Sequence, residues 1–417
     1  MERILTRWMD IPDLRKLDVY VGNGGYQALR KALFDMSPEQ IINEVKNSNL
    51  RGRGGAAFAT GVKWSFIPKE SKKPVYLCCN ADESEPGTFA NRYELENDPH
   101  CILEGMAIAC RAVGSHIAYV YLRGEFTAQK KILDAAIAEA YANNYLGKNI
   151  LGSGFDLEVY THRGAGAYIC GEETGLLESL EGRRAYPRNR PPFPAIQGAF
   201  GSPTVVNNVE TLSMLPFIIR EGGDAFAKIG SPKNGGTVVF SVSGHVEKEG
   251  VYEVPMGSKL RDVLALAGGV RAGHKLKCVI PGGTSMPPLL EKDLDLALDF
   301  DAIRAAGTFL GAGGMIVLDE TADAVEVAHN IERFLTHESC GQCTPCREGS
   351  FWSEEILERI LEGKGTPEDM PNLARVGENI TGKVICALGD TVGVVTRAYM
   401  SKFPEDFKKR IPHGKAS

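Results

Sequence analysis

A chain of 417 residues with 24% charged residues and a formal net charge of -6 is longer than one hydrophobic core serves, which predicts two or three domains. The acidic balance excludes a nucleic-acid surface, because phosphate binding needs a basic excess. No window approaches the ~18 apolar residues of a membrane span, and the opening MERILTRWMDIPDLRK lacks the apolar core of a signal peptide, so a cytosolic chain with no membrane insertion is expected. Its ten cysteines are then expected to be reduced, and clustered ones read as metal ligands or redox groups rather than disulfides.

Up to about residue 228, apolar runs such as VYLCCNA (75–81), IAYVYLR (117–123) and LEVYTH (157–162) alternate with helix-like stretches such as CILEGMAIACRAVG and AQKKILDAAIAEAYANN. That alternation predicts an α/β domain with a largely parallel sheet. A second unit, 229–320, opens with the strand-like TVVFSVSG, continues through HVEKEGVYEVP as a hairpin, and places Leu260, Val263, Leu264 and Ala267 at helical spacing. Ser258 is expected to cap that helix and Gly268 to end it. From 321 to 417 the strand signals stop. Ala324, Val327, Ala328, Ile331, Phe334 and Leu335 form one helical stripe, and Trp352, Ile356, Leu357, Ile360 and Leu361 a second, which predicts a helical bundle.

Candidate binding residues fall in four stretches of the first domain. LRGRGGAAFATGVKW (50–64) contains a G-x-G-x-x-A pattern, but the preceding SPEQIINEVKNSNL reads as a helix, whereas a dinucleotide fingerprint follows a strand. Gly52, Gly54 and Gly55 nevertheless allow backbone N–H groups to approach a flat or anionic ligand, with Lys63 as a nearby cation; a tight structural turn is the competing reading. NADESEPGTF (80–89) follows an apolar run, so Asn80, Asp82, Glu83 and Glu85 are expected at the carboxyl end of a strand, where ligands bind in open α/β sheets. Glu172 and Glu173 lie in RGAGAYICGEETGLLESLEG (163–182), and carboxylates of this kind suit ribityl or ribose hydroxyls while repelling a 2′-phosphate. In YPRNRPPFPAIQGAFGSPTVVNNVETL (186–212), either a linker or a proline-stiffened loop holding Phe193 against an adenine ring, Asn207 and Asn208 precede a helix whose N-terminus suits phosphate. Arg183, Arg184, Arg188 and Arg190 offer a local basic stretch for a small anion.

The third unit carries ESCGQCTPCREG (338–349), with Cys340, Cys343 and Cys346 at intervals of three and Cys386 following in KVICALGD. Zinc sites favour two separated C-x2-C pairs, whereas a continuous triplet with one distant cysteine suits a 4Fe-4S cubane. Cys78, Cys79, Cys101, Cys110, Cys170 and Cys278 sit among apolar or small neighbours and read as core residues.

Taken in order, GRGGAAFATGVKW, NADESEPGTF, GAGAYICGEETGLLESLEG, NNVETL and ESCGQCTPCREG resemble the flavoprotein subunit of respiratory complex I, the NADH:quinone oxidoreductase. The resemblance covers essentially the entire chain. It implies a Rossmann-like domain for FMN and NADH, a ubiquitin-like β-grasp domain and a helical bundle with one 4Fe-4S cluster on Cys340, Cys343, Cys346 and Cys386. It implies FMN contacts at Gly52, Gly54, Gly55, Lys63, Asn80, Asp82, Tyr168, Gly171, Glu172, Asn207, Asn208 and Thr211. NADH is expected over the flavin, its adenine among Phe58, Phe66 and Phe193, with Glu85 and Glu173 near its polar groups. Hydride transfer from NADH straight to FMN requires no general acid or base, and none is named. The implied partners are a smaller thioredoxin-like 2Fe-2S subunit and further iron-sulfur subunits of the peripheral arm, which places the chain at the inner face of the cell membrane without insertion. Related chains serve as diaphorase subunits of NAD-linked hydrogenases and formate dehydrogenases. The family loop commonly reads GRGGAGFPTG; Ala57 replaces a glycine here and Ala59 a proline, which leaves the loop backbone for the structure to define.

Overall fold

The computed structural model describes residues 2–411. The first sheet has the order β3-β2-β1-β4, formed by β1 (Tyr76–Ala81), β2 (Ile117–Leu122), β3 (Glu158–Arg163) and β4 (Thr204–Asn208), all parallel. Leu77, Cys78 and Cys79 of β1 are fully buried on alternate faces, because helices cover both sides of a parallel sheet and demand a continuous apolar run. The helix Pro99–Val113 packs on this sheet; Asp98 caps it by accepting from the Cys101 N–H at 3.1 Å, Pro99 sits in its first turn and Gly114, at φ 71°, ends it.

In this order β1 is flanked by β2 on one side and β4 on the other. The chain therefore leaves β1 in one direction and later returns on the opposite side, which makes the carboxyl ends of β1 and β4 the topological switch point of the sheet. Asn80 and Asn208 are register partners there.

The second sheet, β6-β5-β8-β7, is mixed: β5 (Thr237–Gly244) pairs antiparallel with β6 (Gly250–Pro255) and parallel with β8 (Gly314–Asp319), and β7 (Leu276–Ile280) pairs antiparallel with β8. The helix Leu260–Leu266 buries Leu260, Val263 and Leu264 against it, as the apolar spacing predicts. Ser258 does not cap this helix. Lys259 holds the cap position, and the Ser258 hydroxyl instead donates to the Pro255 carbonyl at 2.8 Å, because the turn after β6 offers that acceptor at close range. Gly268, at φ 79°, does lie just past the helix end. The first unit is tied to this sheet by Glu253, whose carboxylate accepts from the N–H groups of Ile4, Leu5 and Thr6 at 2.8, 3.0 and 2.8 Å.

The described residues beyond β8 are largely helical: Ala324–Glu338, Thr344–Leu361, Asp369–Ile380 and Ala387–Lys402 pack together, and the short Pro404–Lys408 closes the bundle. The last two long helices approach at a pair of glycines. A Cβ on Gly393 would stand 2.4 Å from the Gly377 carbonyl oxygen, so bulkier residues would force the helices apart. Cys386 begins the helix Ala387–Lys402, and Cys346 lies inside Thr344–Leu361 rather than in the connection before it.

Candidate functional site

The glycine loop is moulded onto β4. The Arg53 N–H donates to Thr211 Oγ1 at 2.9 Å, and the buried Arg53 guanidinium runs beneath the loop to the carbonyls of Arg51, Gly235 and Thr237. A Cβ on Gly54 would lie 2.9 Å from Asn208 Cβ, and Gly55 has φ +102°, so both positions need glycine for close approach or for backbone conformation. Gly52 N–H closes the loop on the Phe58 carbonyl at 2.8 Å. Ala57 adopts φ 53°, a left-handed conformation that suits the glycine usual in related chains. Ala59, at φ -63°, already has the geometry of proline.

Around this loop the predicted polar residues converge from distant parts of the chain. Lys63 Nζ donates to Glu173 Oε2 at 2.7 Å and to the Val206 carbonyl at 2.9 Å. Asn207 Oδ1 accepts from Trp64 Nε1 at 2.9 Å, while Asn208 donates to Asn91 Oδ1 at 2.6 Å and caps the helix Val209–Ser213. Asn80 Nδ2 donates to the Gly171 carbonyl at 2.9 Å, and its Oδ1 accepts from the Asp82 N–H at 3.0 Å. Glu172 spends one oxygen on capping the helix Glu173–Leu180 and turns the other toward Arg190 at 3.6 Å. Of the basic stretch, Arg183 and Arg188 are engaged by Glu178 and Glu181, and Arg190 pairs with Glu173 at 3.1 Å. These three cations are therefore internally compensated.

Two carboxyls at the end of β1 are held well above the usual range. Burial pushes Asp82 up to about 7, against the opposing Ser84 hydrogen bond and the Arg123 charge. Burial likewise raises Glu83 to about 7, although its oxygens accept from the Asn91 and Arg92 N–H groups at 2.8 Å each. Asp82 Oδ1 is buried with no hydrogen-bond partner. A Cβ on Gly171 would stand 3.5 Å from the Asp82 carbonyl oxygen and from Oδ2, which accepts from the Ser84 hydroxyl at 2.7 Å. A buried acceptor without a partner, such as Asp82 Oδ1, costs ~1–3 kcal/mol until a donor reaches it, and a ribityl hydroxyl is such a donor. The cradle fits a flavin phosphate and polyol in its chemistry: bare backbone at the glycines, one cation at Lys63 and amide or carboxyl acceptors around them.

Phe58 and Phe66 form an exposed aromatic pair with ring centroids 6.1 Å apart, each about half accessible, and Phe193 is 56% exposed on the loop that also carries Arg190. The ring pairing does not extend to Phe193 among the described residues.

Glu85 is bound by a different set of residues. Its carboxylate accepts from Tyr168 Oη at 2.6 Å, and the Tyr168 ring packs edge-on against Phe334 of the bundle at 5.2 Å between centroids. The Tyr168 N–H donates to Glu338 at 3.1 Å, two residues before the first cysteine of the triplet. Tyr168 and the four cysteines, Cys340, Cys343, Cys346 and Cys386, lie against the same apolar core. Burial pushes the Cys386 thiol up to about 12, so it becomes a thiolate only where metal charge draws it. Backbone and hydroxyl groups already point at the sulfurs: Ile385 N–H to Cys343 Sγ and Ser339 Oγ to Cys346 Sγ, both 3.4 Å.

Zinc bonds of ~2.3 Å in a tetrahedron hold thiolate sulfurs about 3.8 Å apart. Among the described residues only His274, Asp319 and Glu320 bring three ligand atoms within 4.8 Å of one another, so no three of the cysteine sulfurs gather at single-ion distance. A cubane, whose ligand sulfurs stand farther apart than those around a single ion, is compatible with that spacing.

Sequence reading missed Thr284 and Ser285, which also contact Glu85, and Arg53, which underpins the glycine loop. PGGTS (281–285) reads as a turn, and nothing local connects it to a glutamate 200 residues earlier. The six scattered cysteines behave as predicted for five, which are buried; Cys101 is half-buried, with its thiol on the Ser213 carbonyl.

Comparison with known proteins identifies the family of the chain. The family described as the Nuo51 FMN-binding domain matches residues 45–216, the NADH-ubiquinone oxidoreductase-F iron-sulfur binding region matches 326–410, and the SLBB domain matches 239–289. An NADH-quinone oxidoreductase subunit of Rhizobium meliloti (strain 1021) is 50% identical over 411 residues, 98% of each chain. The corresponding NADH-quinone oxidoreductase subunit of Mycobacterium tuberculosis (strain ATCC 25618 / H37Rv) is 49% identical over 418 residues, covering 99% of this chain and 94% of the relative. A crystal structure of an NAD+-reducing NiFe hydrogenase in the H2-reduced state superposes with a TM-score of 0.87 at 34% identity, over 99% of this chain and 68% of that one. The chain belongs to the NADH-quinone oxidoreductase-F family.

Proposed function

We infer that this chain is the electron-input subunit of an NADH:quinone oxidoreductase, a flavin-dependent NADH dehydrogenase with FMN and one 4Fe-4S cluster. The observation that carries the reading is the meeting of a flavin cradle at the β1/β4 switch point with a cysteine quartet in the adjoining bundle, with Tyr168 between them. Bound FMN supplies the conversion of a two-electron hydride into single electrons, which the 4Fe-4S cluster carries onward.

The chain's own residues bind and orient. Gly52, Gly54 and Gly55 offer bare backbone to the flavin; Lys63, Asn207, Asn208 and Thr211 surround its phosphate; Asn80, Asp82, Gly171 and Glu172 meet its polyol and ring edge, and Tyr168 closes the side toward the cluster. Phe58, Phe66 and Phe193 receive the adenine, on the side where Lys63 and Arg190 pair with Glu173. Glu85, tied to Tyr168, then stands at the nicotinamide end. Holding the two rings face to face is the main catalytic contribution asked of the protein. Cys340, Cys343, Cys346 and Cys386 are the cluster ligands.

The three units are assigned as 1–228, 229–320 and 321–417, and the middle one as a ubiquitin-like β-grasp domain, which its mixed four-stranded sheet with a packed helix supports. The chain works as one subunit of a larger assembly. Phe351 and Trp352, both about half exposed on the helix that begins at the cysteine triplet, support docking of a smaller thioredoxin-like 2Fe-2S subunit beside the cluster, with further iron-sulfur subunits beyond it. No helix is long and apolar enough to cross a membrane among the described residues, and we place the chain peripherally on the cytoplasmic side of the cell membrane. A diaphorase role in an NAD-linked hydrogenase is the second reading, favoured by the hydrogenase superposition, though identity to that chain is lower than to the quinone oxidoreductase subunits.

The test is the absorption spectrum of anaerobic, FMN-loaded protein before and after each nucleotide. Flavin bleaching with NADH and little with NADPH is expected; a bound flavin that ignores both nucleotides overturns the reading.

A further inference from the structure

Glu85 lies on the first unit, yet most of its hydrogen bonds come from the second. Oε1 accepts from the Ser285 N–H at 2.8 Å and from Thr284 Oγ1 at 3.2 Å, and Oε2 accepts from Ser285 Oγ at 2.8 Å and Tyr168 Oη at 2.6 Å. Ser285 Oγ and Tyr168 Oη are themselves 3.2 Å apart, so the three side chains form a closed triangle. Ser285 is 5% exposed, which shields these bonds from water. The turn that delivers it depends on Gly283, at φ +101°, where a Cβ would stand 2.3 Å from Glu85 Cγ. The loop is thus shaped to the glutamate, and four donors hold the carboxylate in one rotamer.

We propose that Ser285 is a positioning residue for the nicotinamide end of the nucleotide site, fixing Glu85 and Tyr168 together, so that the middle unit is a working wall of that site. This rests on the placement of Glu85 at the nicotinamide end given above. A side chain held in place before the ligand arrives loses less freedom on binding, and that advantage is confined to the part of the ligand it touches. NAD+ and ADP-ribose separate the two ends, since ADP-ribose keeps the adenosine and both phosphates but has no nicotinamide.

The experiment measures equilibrium affinity for NAD+ and for ADP-ribose by calorimetry on the assembled, FMN-loaded complex, with Ser285→Ala, Ser285→Thr, Glu85→Gln and the Ser285→Ala/Glu85→Gln double variant. Ser285→Ala is expected to weaken NAD+ about tenfold, the loss of one hydrogen bond to a charged group, and to leave ADP-ribose affinity, thermal midpoint and cluster EPR unchanged. Ser285→Thr keeps the hydroxyl and restores NAD+ affinity. In the Glu85→Gln background the serine substitution has little further effect, because it acts through the glutamate. Equal weakening of both ligands, additive losses in the double variant, or unchanged or tighter NAD+ binding in Ser285→Ala overturns the inference. If Glu85→Gln weakens NAD+ and Ser285→Ala does not, the inference alone falls; if Glu85→Gln leaves NAD+ affinity unchanged, the nucleotide placement falls with it.

Discussion

The cysteine quartet and the flavin cradle solve their problems in opposite ways. The quartet depends on what its side chains are: three cysteines come from one short segment, and the fourth opens the helix Ala387–Lys402. The cradle depends on what its side chains lack, with bare backbone at Gly54 and Gly55 and contributors from segments more than 100 residues apart. A metal centre needs soft ligands at a fixed stride, and such ligands are rare enough to stand out. A cofactor with a flat ring, a polyol and a phosphate needs a shaped cavity with scattered common groups, which only the fold assembles.

The largest effect that would sharpen the contrast is expected at Cys386. Cys386→Ser should abolish NADH:quinone electron transfer and lower iron and acid-labile sulfide below about four each per chain. NADH-driven bleaching of the flavin should survive. Loss of flavin in the same variant, measured by fluorescence after denaturation, would break the separation between the two sites.

A smaller, pH-dependent effect is expected at Asp82. Its carboxyl is raised by burial to about 7 in the folded chain, against an ordinary value of ~3.9. Because the folded form holds the proton more tightly, this group's contribution to stability is fully present below pH ~4 and is lost as pH rises through about 7. The FMN-free Asp82→Asn variant should therefore melt several degrees above the parent at pH 8 and by less than half that margin at pH 5, while binding FMN more weakly. Thermal melts at the two pH values decide this, and an equal shift at both would show that ionisation is not the cause.

The smallest effects belong to the glycine loop. Ala59→Pro should stabilise by ~0.4–1 kcal/mol, because the native φ of -63° suits proline and the unfolded chain loses freedom. Ala57→Gly relieves a left-handed alanine worth ~1–2 kcal/mol, offset in part by the buried methyl it removes. Urea melts of the two variants should show both changes as gains, with the flavin spectrum unaltered. Destabilisation by Ala57→Gly would mean that the packing of Ala57 in the second core outweighs its backbone strain.

The chain order of motifs, the parallel character of the first sheet, the hairpin of the second and the helical end were all legible in the sequence, because each rests on local periodicity or on rare residues at fixed spacing. The Ser258 cap was not: a serine ahead of an apolar helix has more than one acceptor within reach, and the turn geometry chose the Pro255 carbonyl. The arginines at 183 and 188 read as ligand groups until the fold set Glu178 and Glu181 against them. The φ of Ala57 was likewise open, since alanine is compatible with either sign at different energetic cost.

By itself the sequence determined the class of fold and the family, and it singled out the four cysteines proposed as cluster ligands, since these depend on residue identity and spacing along one chain. The tertiary structure alone decided that β1 and β4 lie side by side with their asparagines in register, that Asp82 is buried with one oxygen unpartnered, and that Ser285 reaches Glu85 across 200 residues. Those relations depend on burial and on contacts between remote segments, which no local pattern encodes.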